Sequence, residues 1–348
     1  MSNCIVNIDG YKDEYSHLNG QLKMQITKYD IAVGMISIGK THWSEYVTKK
    51  NLMDIIHYWT ALIPYIDEKP TLKINENFIK LDPSDKTGKS YVIGTGVTNV
   101  IASKILKISC LQYAEELRKV GIIKVNSGSL ELGDLVGFDT NGDWHVMESK
   151  GRTYPVSNTL KKKAKRQAEK IEKINGLAPK TKNYCITYIN NDACLVTLSD
   201  PDKISDNPVN LEIDIDAFLR FYYKRIFGSF LMRSSNITLI INNLLFQAFR
   251  VDLDGEGIYL GLENRIFESL QTENYQQILS LQQEIWESTI DSNIKDGSLM
   301  ASGVLFFTGN PIEGQPIQDS DSSNNPISEK NFSTQYSAQS VSVDLNYH

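Results

Sequence analysis

Asp134, Glu148 and Lys150 are spaced to act together. Residues 134–140 (DLVGFDT) and 144–150 (WHVMESK) read as two strands. Asn141-Gly142 between them is a hairpin signal, because both turn positions tolerate a positive φ. Side chains alternate along a strand, so Glu148 and Lys150, two apart, share a face. A turn at 141–142 sets residue i opposite roughly 283 − i, which brings Asp134 opposite about position 149. Two carboxylates that close repel, and the arrangement becomes favourable once a divalent cation lies between them. Mg²⁺ takes oxygen ligands, commonly one or two carboxylates with water and substrate phosphate completing the shell. The Ser149 carbonyl is a further candidate ligand. A cation held there can generate hydroxide and stabilise charge on phosphoryl oxygens. Lys150, at the rim, can position or deprotonate the attacking water and neutralise the phosphate. The chemistry implied is metal-assisted hydrolysis of a phosphodiester.

The elements that must position these groups are legible around them. Both strands are apolar on both faces (Leu135, Val136, Phe138; Val146, Met147), the pattern of central, buried strands. Charges on such strands need partners. Ahead of them, Gly94–Gly96 reads as a break. A helical pattern then runs through Leu106, Cys110, Tyr113, Ala114 and Leu117 to Val120, with Gly121 as its C-cap. Behind them, Ser157 or Asn158 caps a helix over 159–174, with Leu160, Ala164, Ala168, Ile171 and Ile174 on its apolar side. Strands over 183–189 and 193–198 follow, separated by Asn190-Asn191.

This arrangement resembles the PD-(D/E)xK nuclease superfamily. That family's core runs helix–strand–strand–strand–helix–strand, and its motif is an acidic residue followed, ten to twenty residues later, by Glu-x-Lys. Here the pieces are Gly133-Asp134, a step of fourteen residues, and Glu148-Ser149-Lys150, with Gly133 where the motif has proline. The resemblance spans about residues 100–200. It implies an α/β (α+β) fold with a restriction-endonuclease-like αβββαβ core. It also implies that Asp134 and Glu148 hold Mg²⁺, for which Mn²⁺ can substitute, and that Lys150 is the catalytic lysine. Gln167 corresponds to a glutamine that orients the site in RecB-like members. Glu116, with Glu115 as the other choice, corresponds to a glutamate on the preceding helix that completes the metal shell. The resemblance favours DNA over RNA as the substrate.

The helix after the motif, NTLKKKAKRQAEKI, is strongly basic through Lys161, Lys162, Lys163, Lys165, Arg166 and Lys170. A solvated helix face accounts for such a run equally well. Beside a phosphate-cutting site these charges, together with Arg152, would hold a nucleic-acid backbone.

The rest of the sequence frames this core. A length of 348 residues predicts two or three domains. The reading is a mixed N-terminal region over 1–95, the core over 96–200, a largely helical region over 201–308 and a disordered tail over 309–348 rich in Ser, Asn, Gln and Pro. Within the first, 21–38 reads as strand, 45–66 as helix, and 69–90 as loops between short strands, with Tyr91-Val92-Ile93 a strand. The clearest C-terminal helices are 216–232 and 263–288. A net charge of −6 argues against a non-specific nucleic-acid coat protein but leaves a nuclease with one basic face. No run of apolar residues is long enough to span a membrane, and MSNCIVNIDGYKDE lacks the form of a secretory signal, so the expected setting is cytoplasmic. Cys4, Cys110, Cys185 and Cys194 show neither zinc nor disulfide spacing and are expected as reduced, buried thiols.

Other motifs carry less. Asp252-x-Asp254-x-Glu256-Gly257 with Glu263 matches part of a calcium loop but has Tyr259 at its eighth position, and a turn explains it more simply. Gly88-Lys89-Ser90 has Pro83 where a phosphate loop needs glycine. His145 falls on the strand face opposite Glu148, which suggests a structural role. The sequence therefore points to a metal-dependent DNA endonuclease of restriction or anti-phage defence type. Two other readings stay open: a catalytically silent nucleic-acid-binding module on the same core, or a homo-oligomeric scaffold. A defence-system partner protein is also compatible.

Overall fold

The computed structural model describes residues 3–38, 63–127, 132–200, 208–231, 237–241, 243–253, 256–289, 294, 297–308 and 318–319. Its centre is a seven-stranded mixed sheet. The chain begins with β1 (Cys4–Asp9) and β2 (Gly20–Met24), an antiparallel pair. The helix α1 (Lys28–Ile38) follows, where alternation of Ile31 and Val33 predicted strand. Every residue from Tyr29 to Ile38 is buried, so the helix has no polar stripe to reveal its period. Thr27 and Asp30 hold each other's backbone N–H groups and start it. The helix expected over 45–66 falls mostly outside the described residues. Its end is a 3₁₀ turn (Ile63–Tyr65) entering β3 (Ile66–Asp67), which pairs with β4 (Lys73–Ile74).

The largest correction lies between residues 69 and 120. The short helix α2 (Glu76–Ile79) precedes a long one, α3 (Pro83–Leu106), which absorbs the loop, the strand and the glycine break predicted there. The Asp82 carboxylate accepts from the N–H groups of Ser84 and Asp85, and Pro83 occupies the first turn. Gly94 and Gly96 are interior to α3, at its tightest contacts. A Cβ on Gly94 would lie 2.4 Å from the Gly151 Cα, and one on Gly96 would lie 2.8 Å from the Ile31 carbonyl oxygen of α1. Lys107, left-handed at φ 57°, ends the helix. Where the apolar spacing predicts helix on to Val120, the chain instead forms β5 (Ile108–Tyr113) and the short helix α4 (Ala114–Lys119).

After β6 (Ile123–Ser127), β7 (Leu135–Asp139) and β8 (Trp144–Arg152) form the predicted hairpin, with Gly142 at φ 85° in its turn. Ser157 caps α5 (Asn158–Ala168) by accepting from the Leu160 N–H. This helix is shorter than predicted, because Ile171 and Ile174 belong to a strand, β9 (Ile171–Ile174). β10 (Thr181–Ile189) and β11 (Cys194–Ser199) match their predicted positions. The sheet order is β2-β1-β11-β10-β8-β7-β5, with β8 parallel to β10 and β1 parallel to β11. Helices α1 and α3 cover one part of it, and α5 packs on β8 and β10.

β12 (Val209–Ile213) joins β6 and β9 in a small sheet. The C-terminal region has the first predicted helix as α6 (Ile215–Leu231), but the second, expected over 263–288, is broken at Glu273 (φ 53°) into α7 (Asn264–Gln271) and α8 (Tyr275–Thr289), and the region is not largely helical. Strands β13 (Ile237–Ile241), β14 (Leu244–Leu253), β15 (Glu256–Glu263), β16 (Gly297–Leu299), β17 (Val304–Thr308) and β18 (Gln318–Asp319) make a six-stranded sheet. Its two faces feed different cores: Phe246 and Ala248 one, Phe249 and Val251 the other. Strands apolar on both faces show no alternation, which hid them in the sequence. The described residues of the calcium-like segment lie in strands β14 and β15, and Glu263 caps α7. Apart from Gln318–Asp319, the predicted disordered tail lies outside the described residues. The four cysteines are buried and free. Among the described residues, no helix is long and apolar enough to cross a membrane.

Candidate active site

The β7–β8 ladder pairs Leu135 with Met147 and Val136 with Val146, so Asp134 falls opposite Glu148, one residue from the position expected. The Asp134 N–H donates to Glu148 Oε2 at 3.1 Å. The Ser149 N–H donates to Asp134 Oδ2 at 3.1 Å. Lys150 Nζ donates to the same Asp134 oxygen at 3.3 Å and also contacts Glu148 Oε1. Asp134, Glu148 and Lys150 therefore converge at the open end of the hairpin. Glu148 and Lys150 face α5, beside Tyr184 and Ile186 of β10, their register partners. Ser149 faces the other way, its hydroxyl 2.9 Å from Thr98 Oγ1 of α3.

Burial sets the electrostatics. The Glu148 side chain is 0% exposed, against 15% for Lys150 and 26% for Asp134. Desolvation pushes the Glu148 carboxyl up to about 7, the negative charge of Asp134 adds to the rise, and Lys150 opposes it. Burial on its own would lower the Lys150 pKa, but Asp134 and Glu148 more than offset it, so the net shift is upward. Lys150 thus stays cationic at neutral pH. That charge state suits neutralisation of a nearby negative charge rather than proton abstraction.

The raised Glu148 pKa predicts a cost of holding this site together. Between about 4.5 and about 7 the folded chain keeps a proton that the unfolded chain has lost, so stability falls as pH rises through that window. Glu148→Gln is expected to stabilise the metal-free protein by about 1–3 kcal/mol at about pH 8. That gain should shrink towards zero at about pH 5. Thermal melts in EDTA at both pH values check this, and equal melting of the two proteins at high pH would contradict the burial argument.

The other predicted residues divide. Arg152 ends β8 on the face of Lys150, its guanidinium donating to the Gly151 carbonyl at 3.2 Å. Helix α5 buries Ala164 and Ala168 against the sheet, leaving Lys162, Lys163 and Arg166 exposed and Lys161 and Lys165 partly so. Lys165 also reaches Glu169 at 3.9 Å. The Gln167 carbonyl oxygen lies 3.4 Å from where a Gly133 Cβ would be, so the end of α5 abuts the residue before Asp134. Gln167 Oε1 is buried and has no hydrogen-bond partner among the described residues. Glu116 is buried on α4 and pairs with Lys119 at 3.3 Å. Among the described residues no three His, Cys, Asp or Glu side chains gather as a metal-holding group, so Glu116 does not join Asp134 and Glu148 in one. His145 is fully buried on the opposite face, bonded to Thr181 and 3.5 Å from Asp139.

Two residues near the site were missed in the sequence. Tyr91 of α3 and Tyr113 of β5 bring their hydroxyls to 3.4 Å. Tyr91 shares helical spacing with Thr95 and Thr98, which would have placed it on the sheet-facing side of α3 had that helix been recognised.

In comparisons with known proteins, no family model matches the chain, nor does any curated protein or solved structure.

Proposed function

We propose that this chain is a divalent-metal-dependent nuclease that hydrolyses phosphodiester bonds, acting on DNA as an endonuclease. The observation that carries the reading is the junction of Asp134, Glu148 and Lys150 at one hairpin end, with Lys150 bonded to both carboxylates. The succession α3, β5, β7, β8, α5, β10, with β5–β7–β8 antiparallel and β10 parallel to β8, supports a restriction-endonuclease-like core.

The donor set suits Mg²⁺ or Mn²⁺. A fully buried carboxylate beside a second one gains most from a cation, and Mg²⁺ needs only one or two such ligands when water and phosphate supply the rest. Asp134 and Glu148 would hold the ion, with the Ser149 carbonyl as an additional oxygen. When bound, the ion supplies an acidified water and positive charge for the phosphoryl oxygens. Lys150 neutralises substrate phosphate, and the unpartnered Gln167 oxygen stands at the same edge to accept a hydrogen bond from a bound water. Arg152 and the α5 cations hold the flanking backbone, which makes binding salt-dependent. A nuclease core carrying a large C-terminal sheet-and-helix region fits a restriction or anti-phage defence effector, by analogy of architecture.

The test is cleavage of supercoiled plasmid, linear duplex, single-stranded DNA and RNA by wild type and Asp134→Ala, with Mg²⁺, with Mn²⁺ and with EDTA. Metal-dependent cutting that is lost in the variant is the expected result. No cutting in any arm, together with no Mg²⁺ binding by titration calorimetry, would favour a silent nucleic-acid-binding module.

A further inference from the structure

Tyr91 and Tyr113 come from different elements yet meet at the edge of the trio. Tyr91 follows Ser90, whose carbonyl oxygen would stand 1.8 Å from a Cβ on Gly151, the residue after Lys150. Tyr113 precedes Ala114, whose N–H donates to the Asp134 carbonyl at 3.1 Å, and it pairs in register with Leu135, the residue after Asp134. One tyrosine is thus anchored beside the Lys150 strand and the other beside Asp134, with hydroxyl oxygens 3.4 Å apart. Both side chains are half-buried.

We propose that Tyr91 and Tyr113 are substrate-positioning residues of this same site, their paired hydroxyls holding the phosphate that adjoins the scissile one. The inference rests on the nuclease reading and adds residues that the motif does not supply. Phenol hydroxyls are regular donors to backbone phosphates and, unlike more lysines, add no charge beside Lys150. Burial raises the Tyr91 pKa and the Tyr113 hydrogen bond opposes that. The charges of Asp134 and Lys150 act on it in opposite senses. The phenol therefore remains a donor at neutral pH. Arg152 and the α5 cations lie on the face of β8 that carries Lys150, and the tyrosine pair lies on the α3 side of the same strand end.

The test compares full-length wild type, Tyr91→Phe, Tyr113→Phe and the double variant. Three quantities are read: kcat and KM for Mg²⁺-dependent cleavage, Kd for a fluorescein-labelled DNA duplex with Ca²⁺ replacing Mg²⁺, and the melting temperature. Each single variant is expected to raise KM and Kd about fivefold, the loss of one hydrogen bond. kcat should change little, and the double variant should be little worse than either single, because the two hydroxyls act as a unit. Unchanged KM and Kd in active variants, whatever the melting temperature, overturns the assignment and leaves the pair structural. A wild type that neither cuts nor binds overturns the nuclease reading itself, and this inference falls with it.

Discussion

Lys150→Ala is expected to lower kcat/KM for metal-dependent cleavage about a thousandfold while leaving the fold in place. The side chain donates to both carboxylates, and the net upward shift of its pKa keeps it charged where it would meet substrate phosphate. Deleting a single preorganised donor to a developing oxyanion costs about 10²–10³-fold in other enzymes, and here the donor also carries a full charge. The fold should survive for a specific reason. Removing one partner of a buried ion pair normally strands the other charge at a cost of about 3–5 kcal/mol. Glu148, already raised to about 7, can instead take up a proton. The variant should therefore melt close to wild type at about pH 6 and fall behind as pH rises. Far-ultraviolet circular dichroism and thermal melts at two pH values report the fold, and a steady-state cleavage assay reports the rate. Full activity in Lys150→Ala would end the assignment of this site.

Lys150→Arg separates charge from shape. Arginine keeps the charge but is longer and planar, and the pocket beside a 0%-exposed Glu148 has been filled by a slim ammonium. Partial activity in Arg alongside none in Ala would assign Lys150 to charge neutralisation, in line with the direction of its pKa.

What was readable in the sequence follows a physical divide. The hairpin was readable because its determinants are local: Asn141-Gly142 sets the turn, and the strands leave it in fixed register. Asp134, Glu148 and Lys150 are fourteen and two residues apart, so the same local geometry delivered all three. The cap and basic face of α5 were readable for the same reason, since Ser157, Ala164 and Ala168 act within one helix. The misreadings came where tertiary contact overrides local preference. Gly94 and Gly96 look like breakers, yet they are small because β8 and α1 press on α3 from two sides. α1 is buried from Tyr29 to Ile38 and β14 buries apolar residues on both faces, and periodicity cannot separate a buried strand from a buried helix. The parallel pairing of β1 with β11 spans most of the chain and leaves no trace in any window. The tyrosine pair was invisible for a compound reason: it exists only once α3 is laid across β8, and α3 was the element misread.

That same crossing carries the second large effect. Gly151→Ala is expected to destabilise the chain by about 3 kcal/mol or more and to cut activity in whatever protein still folds. The added Cβ would stand 1.8 Å from the Ser90 carbonyl oxygen and 2.7 Å from its carbonyl carbon, and both are backbone atoms that no rotamer change can move. Overpacking against yielding side chains costs about 1–3 kcal/mol, so a clash between a strand and a helix backbone belongs at or beyond the upper end. Relief requires α3 to lift from β8. Lifting it separates Gly94 from Gly151, loosens the Thr98–Ser149 bond and withdraws Tyr91 from the site edge. It also releases the strand segment on which Lys150 is mounted, and a displacement of about 1 Å at a catalytic group can cost about a hundredfold in rate. Gly88→Ala is the control. Gly88 lies in the same helix with no described residue within 4 Å of its would-be Cβ, so alanine there should leave activity intact and add up to about 1 kcal/mol of stability through helix propensity. Urea denaturation and the cleavage assay on both variants read the two effects together. If Gly151→Ala unfolds at the wild-type urea concentration, α3 does not rest on β8 at Gly151, and the helix cannot be what holds the Lys150 strand in position.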